Sequence, residues 1–298
     1  MSDRLVFTLA FGARRFGEMA MGLGRSLSLI GDTTPRAILT DIDGFDWGRH
    51  FDLVIHKSVA REETFWAKLY ALEVTDAQKI LFIDGDSLVF KRLDPIFDAF
   101  EGASFGVQGI QATDGEWYDK DVREVLAAEH VSSLPKFNGG LLYYERTPET
   151  ARLIQEARAI GERYDEIGWR RNANRHSKGV IADEPCIGLA IAKTGIGRVA
   201  PDTENFHNSA VGLVGRLRMD VRRAECRYLC RRYDLQYVEP YIFHAHLYSK
   251  FLVYWRQLAY LEKFDRYADR HPFGYMSFWH KQSRSIQRRW LKTVWRIR

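Results

Sequence analysis

With 298 residues, 46% of them hydrophobic, the chain is long enough for one large domain or two small ones, and its composition excludes wholesale disorder. Cys186, Cys226 and Cys230 are too few, and odd in number, for a disulfide scaffold; they read as reduced thiols of a cytosolic protein. Of the 44 basic residues, seven lie between 281 and 298 with no acid among them, which leaves 37 basic against 39 acidic residues elsewhere. The basicity therefore belongs to the end of the chain, and no nucleic-acid-binding body is expected. No run reaches the ~20 apolar residues of a membrane span, and Met1 to Phe7 does not read as a secretory signal.

In chain order, Leu5–Ala10 predicts a buried strand, and Phe16–Ile30 a helix that ends at Gly31. Arg36–Thr40 and Leu53–His56 predict short strands, Glu62–Val74 a helix with Lys68 beside Thr64 and Leu72, and Lys79–Ile83 a strand. Ser104–Gln108 and Gly140–Tyr144 read as further strands, and Pro148–Tyr164 as a helix with proline in its first turn. Strands alternating with helices predict an α/β fold with a mostly parallel central sheet covered on both faces. Ligands of such sheets sit beyond the carboxyl ends of the strands.

The segment Ile80-Leu-Phe-Ile-Asp84-Gly85-Asp86 places two carboxylates at a strand end. Hard oxygen ligands in that pattern suit Mn²⁺ or Mg²⁺. Asn138 lies between Phe137 and a pair of glycines, where a side-chain amide can approach a ligand closely. Asp183-Glu184-Pro185 reads as a helix start with Asp183 as its cap. In Phe243-His244-Ala-His246-Leu-Tyr-Ser-Lys250, alternation leaves both histidines as candidate metal ligands.

These motifs, in this order over roughly residues 4 to 252, resemble the GT-A glycosyltransferases, most closely glycosyltransferase family 8 with glycogenin and the bacterial lipopolysaccharide galactosyl- and glucosyltransferases. The resemblance implies a GT-A fold and a divalent metal held by Asp84, Asp86 and His244. It implies a nucleotide-sugar donor contacted by Lys68, Asp84 and Lys250, and a sugar subsite of Asn138, Asp183 and Glu184; with the family's acid missing after the first strand, base contact falls to backbone groups at Thr8, Ala10 and Gly12, or the donor base differs. A UDP-sugar, retention of anomeric configuration and a saccharide or lipid-linked acceptor in bacterial surface polysaccharide or lipopolysaccharide synthesis follow from it.

The chain also departs from the family pattern. Lys68 stands for its arginine, Glu184 for a glutamine and Pro185 for an aspartate; the acid that usually follows the first strand is missing. Rival readings are a sugar nucleotidyltransferase, a phosphatase, and a non-catalytic carbohydrate-binding protein. The first wants a Gly-rich basic loop after the first strand, and Gly22-Leu-Gly-Arg25 comes too late for it. The second normally carries its Asp-x-Asp on the first strand.

Residues 1–252 are read as the transferase domain and 253–298 as a helical tail. On a helical wheel Ile286, Trp290, Val294 and Ile297 form one stripe, while Lys281, Arg288, Arg289, Lys292 and Arg296 gather on another face. Basic charge with interfacial tryptophans predicts a helix lying on an anionic membrane surface, with the enzyme peripheral on the cytoplasmic face.

Overall fold

The computed structural model describes residues 3–172, 179–246 and 252–267. The chain opens with β1 (Arg4–Ala10), α1 (Arg14–Leu29), β2 (Arg36–Thr40), β3 (Leu53–His56), α2 (Ala71–Val74) and β4 (Lys79–Ile83). These four strands pair in parallel in the order β4-β1-β2-β3. Next come β5 (Ser87–Val89), α3 (Asp94–Phe100), β6 (Phe105–Ala112), a ribbon of β7 (Glu116–Trp117) and β8 (Lys120–Asp121), and α4 (Val122–Glu129). Then follow β9 (Leu134–Phe137), β10 (Leu141–Glu145), α5 (Pro148–Glu162), α6 (Tyr164–Ile167), α7 (Asp183–Thr194) and β11 (Arg198–Pro201). Strand β10 lies antiparallel between β4 and β6, β11 runs parallel to β6 on its other side, and β9 pairs antiparallel with β6. The last described elements are β12 (His207–Ser209), β13 (Leu213–Asp220), β14 (Glu225–Cys230), β15 (Gln236–Val238), β16 (Ile242–His244) and α8 (Leu252–Tyr267).

The expected α/β fold is therefore present, with a mixed but mainly parallel sheet between two helical layers. Alternation within β4 shows why this strand is apolar throughout. Ile80 and Phe82 pack with Phe7, Tyr144 and the helices α5 and α7, whereas Leu81 and Ile83 pack with Leu23 and Leu27 of α1 and Phe97 and Phe100 of α3. A strand buried on both faces gains from apolar side chains at every position.

Helix α1 ends as expected, with Gly31 in the left-handed region at φ 71°. The helix expected over Glu62–Val74 is instead broken into 3₁₀ turns at Arg61–Glu63 and Trp66–Leu69, followed by the single turn of α2. Side chains in and just after β10, distant in sequence, capture carbonyls that a continuous helix would use internally. The Tyr144 hydroxyl donates to the Lys68 carbonyl at 2.6 Å, and Arg146 Nη1 donates to that of Leu72 at 2.7 Å.

Two smaller sheets complete the fold. Strands β12, β16 and β5 form one; β13, β14 and β15 form an antiparallel meander. Helix α8 begins the segment expected as a tail and is seated on the body. Leu258 lies against Gly22 of α1, and the Asp265 carboxylate meets Arg25 at 3.0 Å and His50 at 2.9 Å. The amphipathic segment 281–298 lies outside the described residues. Among the described residues no helix is long and apolar enough to cross a membrane.

Candidate active site

The Asp84-Gly85-Asp86 turn follows β4 directly. Asp84 N–H donates to the Gly140 carbonyl at 3.0 Å, and Ala245 N–H donates to the Asp86 carbonyl at 3.0 Å, so the ends of two other strands hold the turn. Gly85 has no positive φ; a side chain there would meet the Leu9 carbonyl at 2.8 Å. Glycine is thus needed for close approach to β1 and not for the turn itself. Antiparallel pairing of β16 with β5 sets His244 opposite Ser87. Its Nε2 then lies 3.0 Å from Asp86 Oδ1 and 3.7 Å from Asp84 Oδ2. One donor atom from each of Asp84, Asp86 and His244 falls within 4.8 Å of the others. His246 lies outside this cluster.

The far side of the His244 ring is also fixed. Nδ1 lies 3.1 Å from Asn138 Oδ1, which accepts the Gly140 N–H at 2.9 Å as well. With Nδ1 donating to Asn138, Nε2 faces the carboxylates: protonated, it donates to Asp86, and once that proton is lost it offers its lone pair to a cation held there. A Cβ on Gly140 would lie 2.7 Å from His244 Nδ1, 2.8 Å from His207 Nε2 and 2.9 Å from Asn138 Oδ1. Only glycine leaves room for these three groups. Asn138, expected against the sugar, spends its carbonyl oxygen on holding His244.

A second group adjoins the first. Lys68 is 6% exposed, its ammonium between the rings of Phe65 and Phe82. Nζ is 3.0 Å from Asp183 Oδ2 and donates to the Gly139 carbonyl at 3.1 Å. Asp183 does not cap α7 as expected. Ala182 holds the cap position with no side-chain bond, and Asp183 is the first helical residue, turned to Lys68. Glu184 Oε1 accepts the Gly139 N–H at 2.6 Å, and Oε2 accepts the Tyr118 hydroxyl at 2.7 Å.

Tyr118 was not among the expected site residues. It occupies the two-residue turn between β7 and β8, where Tyr118 and Asp119 have φ of 52° and 58°. Such turns favour Asn-Gly, so a tyrosine here is held against its backbone preference. Two signals were available: a buried carboxylate at 184 needs donors, and Glu116-Trp-Tyr-Asp-Lys is too short for anything but a tight turn.

Electrostatics follow from four carboxylates gathered around one lysine. Burial opposes the Lys68 ammonium, but Asp183, Asp84 and Glu184 outweigh it and raise its pKa. Burial lifts the Asp84 carboxyl above its ordinary range against the pull of Lys68 and His244. Burial also opposes ionisation of Asp86, yet the charge and hydrogen bond of His244 hold it below the usual carboxylate value. Glu184 is raised by burial and by Asp183. His207, buried and beside His244, is pushed well below its ordinary value and stays neutral. The donor chemistry, two hard oxygens and an imidazole nitrogen amid excess negative charge, fits a divalent cation.

In β1, Thr8 is fully buried with its hydroxyl on the Ile83 carbonyl at 2.7 Å, which leaves only backbone groups of this stretch for the expected base contact. Ala10 is buried as well. Gly12 N–H donates to Asp41 Oδ1 at 2.7 Å, which brings a carboxylate from the end of β2 to the loop that carries none of its own. Lys250 lies outside the described residues.

No family model matches the sequence, and no curated protein matches it. Among solved structures, the chain is similar to mouse xyloside xylosyltransferase 1 in its apo form, with 12% identity over 69% of this chain and 87% of that one and a TM-score of 0.47. It is similar to galactosyltransferase LgtC in complex with donor and acceptor sugar analogues, with 15% identity over 69% and 75% and a TM-score of 0.48. It is also similar to the glycosyltransferase GlyE of Streptococcus pneumoniae TIGR4, with 17% identity over 70% and 47% and a TM-score of 0.46. These similarities are distant, and the chemistry of the site is read from its own side chains.

Proposed function

We propose that the chain is a metal-dependent GT-A glycosyltransferase that moves a sugar from a nucleotide-sugar to a saccharide or lipid-linked acceptor. One observation carries the reading: Asp84, Asp86 and His244 converge within 4.8 Å at the carboxyl end of β4, beside the buried Lys68–Asp183 pair and Glu184. Asp84, Asp86 and His244 would hold Mn²⁺ or Mg²⁺, which when bound supplies charge neutralisation for a departing diphosphate.

The protein's own residues do the rest. Asn138 orients the His244 ring. Lys68 and Glu184 grip Gly139 from its carbonyl and its N–H, which fixes the Asn138-Gly139-Gly140 loop beside the cation site. Both oxygens of Glu184 already accept hydrogen bonds, which suits electrostatic stabilisation of a cationic sugar-like transition state over direct attack. The nucleoside would lie over the loop at Gly12 with Asp41, and Lys250 would take a diphosphate charge. Uridine as the base, retention, and a bacterial surface saccharide as the product class rest on the resemblance.

The experiment is a panel of nucleotide-sugars with and without Mn²⁺. One donor turned over only with the metal, its sugar passed to an acceptor or to water, is the expected outcome. Metal-independent release of phosphate with a phosphoenzyme at Asp84 would establish the phosphatase, and binding of saccharide without turnover the carbohydrate-binding protein.

The basic segment 281–298 would keep this enzyme on the anionic cytoplasmic leaflet, where lipid-linked acceptors are found. Sedimentation with anionic vesicles, comparing the full chain with one ending at His280, tests this; equal binding of the two overturns it.

A further inference from the structure

Between Val211 and Val238 the chain carries seven arginines, no lysine and three acids, although the protein without residues 281–298 is slightly acidic. This segment is the β13-β14-β15 meander. Its inner face is spoken for: Met219, Cys226, Tyr228, Cys230 and Val238 are buried against Tyr254 and Leu258 of α8. Pairing puts Val214 opposite Leu229, Leu229 opposite Tyr237, and Arg218 opposite Arg227 on the other face.

The unit has three unusual features. Like charges stand directly across a strand pair at Arg218 and Arg227; Arg227 pairs with Glu239 at 3.4 Å and lies over the Tyr237 ring, while an added anion at this face would also meet Arg218. Of the seven large apolar side chains most exposed among the described residues, Val211, Leu235 and Tyr237 belong to this unit, at 47, 53 and 57%. Leu235 also sits in the left-handed region at φ 60°, next to Asp234 at 50°, so an exposed leucine tops a strained turn. Arg216 and Arg218 of β13 and Arg231 beside the turn are exposed as well.

We propose that this face is a docking surface for a bilayer that presents anionic phospholipid headgroups. Arginine forks take phosphate bidentately, and exposed leucine, valine and tyrosine among them gain by entering the headgroup boundary. A polynucleotide or soluble polyanion would satisfy the arginines but leave the apolar side chains in water. The surface is independent of the segment 281–298. The inner face of the same unit adjoins the site: Ser209, opposite His244 in the β12–β16 pair, accepts the Tyr228 hydroxyl of β14 on its carbonyl at 3.0 Å.

The test uses the chain ending at His280, which removes the basic segment, and vesicles of phosphatidylglycerol with phosphatidylcholine against phosphatidylcholine alone. Binding to the anionic vesicles at low salt should persist in this chain. The double substitution Arg216→Gln/Arg218→Gln should weaken it by about 25-fold, taking roughly fivefold for each arginine near an anionic surface. Added salt should shrink the difference. Leu235→Gly should also weaken vesicle binding while leaving the thermal midpoint unchanged or higher, because glycine accepts the positive φ; this variant decides the matter if the arginine pair disturbs folding. Heparin and RNA serve as competitors. Loss of all vesicle binding on removing residues 281–298 overturns the proposal. So does unchanged binding in both variants, equal binding to neutral vesicles, or a loss confined to heparin and RNA.

Discussion

Replacing Lys68 by methionine removes one charge and little volume, which makes it a sharp test of how the polar centre is balanced. Methionine keeps an unbranched apolar stem of similar length at this buried position. What is lost is the ammonium that faces Asp183 at 3.0 Å, with Asp84 and Glu184 also acting on it, and its contacts with the Phe65 and Phe82 rings. Asp183 is 3% exposed, so its carboxylate is left buried without a counter-charge, at a cost of about 3–5 kcal/mol. The reciprocal change, Asp183→Asn, should cost less, about 1–2 kcal/mol. Lys68 then keeps the Gly139 carbonyl and the charges of Asp84 and Glu184. Urea unfolding of both variants in chelator measures the asymmetry. Adding Mn²⁺ should stabilise Lys68→Met more than the parent, because a cation at Asp84, Asp86 and His244 offsets part of the missing charge. A cost for Lys68→Met below about 1 kcal/mol, or an Asp183→Asn cost as large as that of Lys68→Met, refutes the reasoning.

Asp86→Ala removes a side chain from a strand-end turn and should leave the thermal midpoint nearly unchanged. It should weaken Mn²⁺ binding, measured calorimetrically, by about 100-fold or more; unchanged affinity would sink the metal assignment. Glu184→Gln keeps an acceptor for Gly139 N–H but removes the charge; turnover falling over tenfold at constant donor affinity supports an electrostatic role, and parental turnover shows the charge to be dispensable. For pH, His50 is lowered by burial, so the unfolded chain takes up its proton first and stability falls as pH drops through about 6.5. Burial opposes ionisation of Asp265, but hydrogen bonds and charges from His50 and Arg25 hold its carboxyl low, so its contribution persists above about pH 4 and is lost below. Thermal midpoints from pH 7 to 5 should therefore fall in the parent and fall less in His50→Gln; a steeper fall in the variant contradicts the assignment.

The strands were legible because their signal is local. Lys79–Ile83 is apolar at every position because both faces are buried, and two carboxylates can follow it only where the sheet ends. The left-handed Gly31 after α1, and proline in the first turn of α5, are likewise properties of neighbours in sequence. Local periodicity could not report that Tyr144 and Arg146 take the carbonyls of Lys68 and Leu72, and so it predicted one helix where the chain makes three short turns. Nor could it choose between His244 and His246, since that choice belongs to the register of β16 on β5, some 160 positions away in the chain. Asp183 looked like a cap because caps are local, but a buried ammonium from a segment over a hundred residues earlier claims it. Sequence determined which residue types stand at the ends of the strands. Tertiary structure decided which of them face one another, because burying a charge forces it to find its partner wherever the fold brings one within 3 Å.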